Sequence, residues 1–157
     1  TPLVVNDYAH TAEALASILK TMREFTPGKL HLVFGTDGDR DATKRVPLAR
    51  MAAKYADLLW VTDENPRTED AQSIRNQLLA GIKEERPEME DVCEIATCRR
   101  DAVRKAILAA GSDDTVIITG KGAEPYQEIE GVYHAYNDTP VAKDCLVAYR
   151  NRAHIEA

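Results

Sequence analysis

The sequence predicts an α/β domain of the Rossmann-like kind, a mostly parallel sheet flanked by helices, and three observations predict it. Apolar segments alternate between strand and helix periodicity along the chain, and the connections between them are short. No internal repeat, low-complexity stretch or long linker divides the 157 residues. That length suits one domain with a sizeable core, so 1–157 is read as a single unit.

Leu3–Asn6 reads as a short strand, and Thr11 caps a helix with Ala14, Leu15, Ile18, Leu19, Met22 and Phe25 at helical spacing. Pro27-Gly28 ends that helix, and Leu30–Phe34 is the next strand. A polar loop from Gly35 to about Lys44 leads to a helix near Val46–Tyr55 and a strand at Leu58–Thr62. A third helix is expected to open at Thr68, with Glu69 and Asp70 in a first turn where acids favour the dipole. Val92–Ala96 reads as a strand, Arg99–Ala110 as a helix, Thr115–Thr119 as a strand, and Glu128–Tyr136 as one further strand. Asp138-Thr139-Pro140 starts the last helix, with Pro140 where it costs least.

A formal net charge of −6 argues against a nucleic-acid binder, which displays a basic face. A local group of arginines can still bind a small anion. Cys93, Cys98 and Cys145 have no C-x-x-C spacing, so reduced cysteines are expected rather than disulfides or zinc. With no apolar run near the roughly 20 residues of a membrane span, and no signal peptide, a cytoplasmic protein without membrane partners is expected. Thr1-Pro2-Leu3-Val4-Val5 lacks an initiator Met and runs straight into an apolar stretch, which reads as a piece of a longer chain.

In open α/β sheets ligands bind beyond the C-terminal strand ends. Four polar loops leave strands at that edge: Asp7–His10, Gly35–Asp41, Asp63–Arg67 and Gly120–Glu124. Asp7 and His10 can meet a nucleotide or merely cap the helix. Arg40, between two acids, can clamp a carboxylate or form surface ion pairs. Lys44 and Arg45 read as solvated. Pro66 holds Asn65 extended, so that Asn65 and Arg67 can face one ligand. Gly120-Lys121-Gly122 lacks the full G-x-x-x-x-G-K-[ST] phosphate loop; close backbone approach to a ligand, with Glu124 gripping an amine, competes with a plain glycine turn. His31 reads as packed, His134 and His154 as unpartnered, and Trp60, Tyr126 and Tyr136 as core or rim aromatics.

The segments DYAHTAEAL (7–15), VFGTDGDRD (33–41), ADLLWVTDENPRTED (56–70) and ITGKGAEPYQ (118–127), and more loosely YNDTPVA (136–142), resemble the C-terminal domain of the diamino-acid-adding Mur ligases. The resemblance covers nearly the whole chain in order. It implies a three-domain ATP-dependent ligase of peptidoglycan precursor synthesis, with ATP and Mg2+ held mainly on a central domain. That enzyme converts the carboxylate of UDP-N-acetylmuramoyl-L-Ala-D-Glu to an acyl phosphate, which a diamino acid attacks. It further implies that Arg40, Asn65 and Arg67 hold the distal carboxylate of meso-diaminopimelate, that Gly120 and Glu124 hold its distal amine, and that Asp7 and His10 meet ATP. No general base, other catalytic residue or metal ligand is assigned, and the domain alone is expected to be inactive.

The chain departs from the family pattern at Glu64 (ENPR for DNPR), Ala123 (GKGAE for GKGHE), Ala12, Thr43 and Val46. The changes at Glu64, Ala123 and Thr43 bear on the amino acid chosen. A lysine- or ornithine-adding ligase, a peptide-recycling ligase and a folate polyglutamate synthetase are the alternatives within the class. The last is disfavoured because its first motif reads DGAHN. Outside the class stand a free-standing binding module and a receiver-like domain phosphorylated on Asp63.

Overall fold

The computed structural model describes residues 1–156, with side chains described for residues 1–152. His154 therefore has no described side chain. The elements are β1 (Leu3–Asp7), α1 (Ala12–Phe25), β2 (Leu30–Phe34), α2 (Arg45–Tyr55), β3 (Leu58–Val61), α3 (Ala71–Glu85), β4 (Val92–Glu94), α4 (Arg99–Ala109), β5 (Thr115–Thr119), β6 (Tyr126–Ile129), β7 (Val132–Ala135) and α5 (Asp138–Glu156). A short 3-10 turn, Ala42–Lys44, precedes α2.

Five strands form one parallel sheet in the order β1-β5-β2-β3-β4. Period-two alternation in the buried strands sorts the core into two layers. Leu30, Leu32 and Phe34 pack with Leu15, Leu19, Leu48, Leu78 and Ile82, which places α1, α2 and α3 on one face. Val33, Trp60, Val116 and Ile118 pack on the other with Val103 and Ile107 of α4 and Val141 and Cys145 of α5. The chain thus runs from β1 out to β4 over one face and returns over the other to insert β5 between β1 and β2. Connections leaving β5 and its neighbours diverge there, opening a crevice at the C-terminal strand ends.

Local chemistry sets the boundaries. Thr11 caps α1 by accepting from the Ala14 amide at 3.1 Å, and Asp70 caps α3 by accepting from the Ser73 amide. The expected start of α3 at Thr68 is therefore corrected: Glu69 lies outside the helix, and Asp70 is its cap rather than a residue of its first turn. The single strand expected over Glu128–Tyr136 is an antiparallel hairpin instead. Glu130 (φ 53°) and Gly131 (φ 74°) occupy the left-handed region required by a tight two-residue turn. Phe25 and Ala14, assigned to the apolar stripe of α1, are exposed, and Ala16 is buried in their place. The three cysteines are free. Among the described residues no helix is long and apolar enough to cross a membrane.

Candidate functional site

All four polar loops contribute to one cleft of about 500 Å³ at the C-terminal edge of the sheet. Its walls include Tyr8 and His10 after β1, Asp37 and Arg40 after β2, Glu64 and Arg67 after β3, and Glu124 and Tyr126 after β5.

The first loop turns on Asp7, whose Oδ1 accepts from the Ala9 amide at 2.7 Å. The His10 ring lies edge-on to Tyr8, with Nδ1 3.1 Å from the Tyr8 carbonyl oxygen. A carbonyl only accepts, so that contact places the proton on Nδ1 and leaves Nε2 available. His10 lines the cleft, whereas Asp7 serves as a turn-forming carboxylate beside it.

The second and third loops are locked together. The Gly38 amide donates to the Asn65 carbonyl at 2.8 Å, and a Cβ on Gly38 would lie 1.8 Å from the Pro66 carbonyl oxygen. Only glycine permits that approach. Asp39, at φ 54°, accepts from the Thr68 amide and hydroxyl, which hold its carboxyl below the usual range. Arg45, expected to be solvated, is buried: it forks onto Glu69 at 2.6 and 2.8 Å and reaches the Asp37 carbonyl. The bidentate pair returns the side chain's donors to the protein. Lys44 remains exposed at the cleft wall. Thr43, where the family pattern has glycine, donates to Asp41, whose carboxylate caps the 3-10 turn.

Arg40 and Arg67 differ in their state. Arg40 is exposed and, among the described residues, has no hydrogen-bond or ion-pair partner. Arg67, at φ 57°, donates to Glu128 at 3.0 Å and Asp37 at 3.5 Å, and its buried Nε has no partner. A non-glycine residue held at positive φ is a strain characteristic of functional positions. Thr36 Oγ1 and Asp37 Oδ1 are likewise buried and unpaired. Orphaned polar atoms gathered on one wall mark a surface completed by a ligand or by water.

Asn65 lies beneath this wall, fully buried. Its Oδ1 accepts from Lys121 Nζ at 2.8 Å and the Glu128 amide at 3.0 Å, while its Nδ2 donates to Glu124 Oε1 at 3.3 Å. Lys121 is also fully buried and paired with Glu124, and burial holds its ammonium pKa down. The lysine of Gly-Lys-Gly is thus an internal brace. Gly120 does not line the cleft; it backs the carboxyl of Glu64.

Several of these groups escape sequence reading. Arg99, at the start of α4, is fully buried: it forks onto Asp138 at 2.9 and 2.8 Å and donates to the carbonyls of Asp63 and Thr119. It thereby ties together the starts of the third and fourth loops. A signal existed, since Arg99-Arg100 opens a helix where the dipole disfavours cations. Arg75 plays the same part from α3, forking onto Asp63 and reaching Glu94. Glu64, visible in the sequence only as a departure, is buried in the cleft, and its carboxyl pKa is pushed up to about 8 by burial and then by Asp37.

A parallel sheet with a cleft at its switch point, lined by arginines and carboxyls together, defines an α/β domain whose strand-end loops meet in one charged pocket. The chain belongs to the Mur ligase family: residues 1–122 match the model of the Mur ligase glutamate ligase domain. UDP-N-acetylmuramoyl-L-alanyl-D-glutamate–2,6-diaminopimelate ligases are among its relatives. That of Clostridioides difficile is 44% identical over 91% of this chain and 29% of that protein. That of Xanthomonas campestris is 45% identical over 93% and 28%. A solved structure of such a ligase superposes with a TM-score of 0.83 at 37% identity, over 94% of this chain and 29% of that one. A murein peptide ligase of Psychrobacter arcticus, at 15% identity and a TM-score of 0.59, shares the fold. The chain therefore spans under a third of the curated relatives it matches.

Proposed function

We propose that this chain is the C-terminal domain of a three-domain, cytoplasmic, ATP-dependent ligase that adds meso-diaminopimelate to UDP-N-acetylmuramoyl-L-Ala-D-Glu. The observation carrying this reading is the bipolar cleft. Arg40 and Arg67 supply guanidinium groups suited to a carboxylate, while Glu64 and Glu124 lie where an ammonium group is wanted. A free amino-acid end carries both charges. The distal centre of meso-diaminopimelate is such an end, and lysine, which lacks the second carboxylate, leaves the arginines unanswered. Both relatives are named for 2,6-diaminopimelate, in agreement with this choice.

On this reading Arg67 is the principal clamp. Its guanidinium is already positioned by Glu128 and Asp37 at the cleft wall. Arg40 closes on the carboxylate from the mouth. Asn65 fixes Glu124 and the hairpin from below, and Gly120 allows Glu64 to lie flat. His10, with Nε2 free, and Asp7 beside it meet the nucleotide side. Once the diamino acid is seated, its reacting amine attacks the acyl phosphate of the precursor. The carbon–nitrogen bond forms through a tetrahedral intermediate, phosphate leaves, and the amine gives up a proton. Among the described residues no cluster of three or more His, Cys, Asp or Glu side chains fits a metal ion. Magnesium and the ATP phosphates belong, on this reading, to the central domain.

ADP release by the full-length ligase, supplied with its nucleotide dipeptide and one amino acid at a time, tests the proposal. Turnover is expected with meso-diaminopimelate and not with lysine, and to be lost in Arg67→Ala. Turnover with lysine or ornithine overturns the choice of amino acid. Silence with every amino acid overturns the ligase reading and favours a free-standing binding module.

A further inference from the structure

Away from the cleft, the arginines that lack a carboxylate partner gather on one face of the molecule. Among the described residues, Arg23, Arg45, Arg50, Arg67, Arg75 and Arg99 all reach carboxylates. Arg86 donates to the main-chain carbonyls of Ala53 and Asp57, and Arg40 stands in the cleft. The others, Arg100, Arg104, Arg150 and Arg152, are exposed on α4 and α5, and among the described residues none has a carboxylate within ion-pair distance. Arg152 donates to the Leu108 carbonyl and lies over Tyr149. Lys105 and Lys143, also exposed, extend the set on the same two helices.

The two helices lie side by side on the same face of the sheet. Their first turns are joined by the Arg99–Asp138 pair and their later turns by Arg152 on Leu108, so they run in parallel. Helical spacing aligns the exposed cations. Arg100 and Arg104 stand one turn apart on α4, with Lys105 beside them, and Lys143 and Arg150 flank Val147 on α5. Val147 is 53% exposed, an apolar side chain set among cations. Asp138 is buried beneath Arg99, and Asp101 is turned onto the Thr97 hydroxyl. Asp144 is left as the exposed acid among the described residues of the two helices.

On a chain of net charge −6 this face is a local reversal of sign, and it turns the molecule towards an anionic surface. We propose that the outer face of α4 and α5 is a peripheral docking surface for an anionic lipid bilayer. Its features suit a bilayer better than a folded acidic partner. The cations sit on flexible stems spread along two parallel helices rather than converging on one point, and no carboxylate fixes their geometry. Val147 can enter the headgroup layer while the Lys and Arg heads stay level with the phosphates. Such a contact needs no spanning helix, and it departs from the expectation of no membrane partner, which rests on span length alone. Both helices start beneath the cleft and run away from it, so docking by this face leaves the strand-end loops open. The inference stands independently of the function proposed above.

The test is co-sedimentation of the full-length protein with vesicles of pure phosphatidylcholine, or of two parts phosphatidylcholine to one part phosphatidylglycerol, in ~0.02 M and ~0.5 M salt. Binding is expected to the mixed vesicles alone, and to be lost at the higher salt. Each cation near the surface strengthens binding about fivefold, so Arg100→Gln, Arg104→Gln and Arg150→Gln combined should weaken it about a hundredfold. Lys54→Gln with Lys83→Gln removes exposed cations of α2 and α3, on the other face of the sheet, and should change binding less than about twofold. Should the triple variant lose the parent's thermal midpoint, Arg104→Gln alone, about fivefold weaker, reads the same face. Equal binding by the α4–α5 and α2–α3 variants overturns the proposal, as does failure of the unaltered protein to bind mixed vesicles at low salt. Salt-sensitive binding to polyglutamate but not to vesicles also overturns it and assigns the face to an acidic protein.

Discussion

Arginines occur both beneath the rim of this domain and on its open cleft, and the two sets differ in how fully they are partnered. Arg99, Arg75 and Arg45 are buried and forked onto Asp138, Asp63 and Glu69. Arg40 has no partner among the described residues, and Arg67 has a buried nitrogen without one. The first set fixes where the loops leave the sheet; the second is left with donors to offer. Desolvating a guanidinium is expensive, so a fold that satisfies three so fully and leaves two less than fully paired has separated scaffold charge from cleft charge.

The largest effect should come from breaking a scaffold pair. Arg99→Met leaves the buried Asp138 without its cation and with the Tyr136 hydroxyl as its remaining side-chain donor, and should lower unfolding free energy by about 3–5 kcal/mol in urea titration. Replacing both partners, as Arg99→Met with Asp138→Leu, should recover most of that loss. A single variant within about 1 kcal/mol of the parent would put Arg99 on the other side of the comparison.

Glu64 stands between the two sets, a buried carboxyl that lines the cleft. Its folded pKa of about 8 lies above the ordinary value of 4.5. Its contribution to stability is therefore fully present below pH 4.5 and is lost as pH rises through 8. The stability of the parent relative to Glu64→Gln should fall across that window by at most about 1.4 kcal/mol per pH unit, on the order of several kcal/mol in all. Parallel stability–pH curves for the two proteins would show that the carboxyl is not desolvated.

Gly120→Ala forces a side chain at φ 106° against the same carboxyl. A loss of about 1–3 kcal/mol is expected, part of it recovered by adding Glu64→Ala. Smallest of all, Arg40→Ala should alter stability by less than about 0.5 kcal/mol, because nothing in the fold leans on that side chain. A larger loss in thermal unfolding would move Arg40 into the scaffold set.

What the sequence made legible follows the same division. Strand and helix periodicity located every parallel strand, and the four polar loops could be assigned to one edge because the fold class dictates that edge. Arg40, Arg67 and Glu124 do line the cleft. The scaffold pairs stayed hidden because their partners are distant in sequence: Arg99 with Asp138, Arg45 with Glu69, Arg75 with Asp63. No local pattern announces such a contact. The hairpin was read as a single strand because alternation passes smoothly through Glu130-Gly131, and only the turn conformation interrupts it. The burial of Asn65 was hidden too, since an extended residue before proline shows its conformation but not its depth.

The close seating of Gly38 on Pro66 has an evolutionary consequence. With the Gly38 amide on Asn65 and Asp39 on Thr68, the loops after β2 and β3 form one interlocked surface. Neither can drift in length or path without unseating the other. A change of substrate is therefore inherited most readily as a cassette, and swapping residues 35–45 and 63–69 together should transplant a preference that either segment moved alone would scramble.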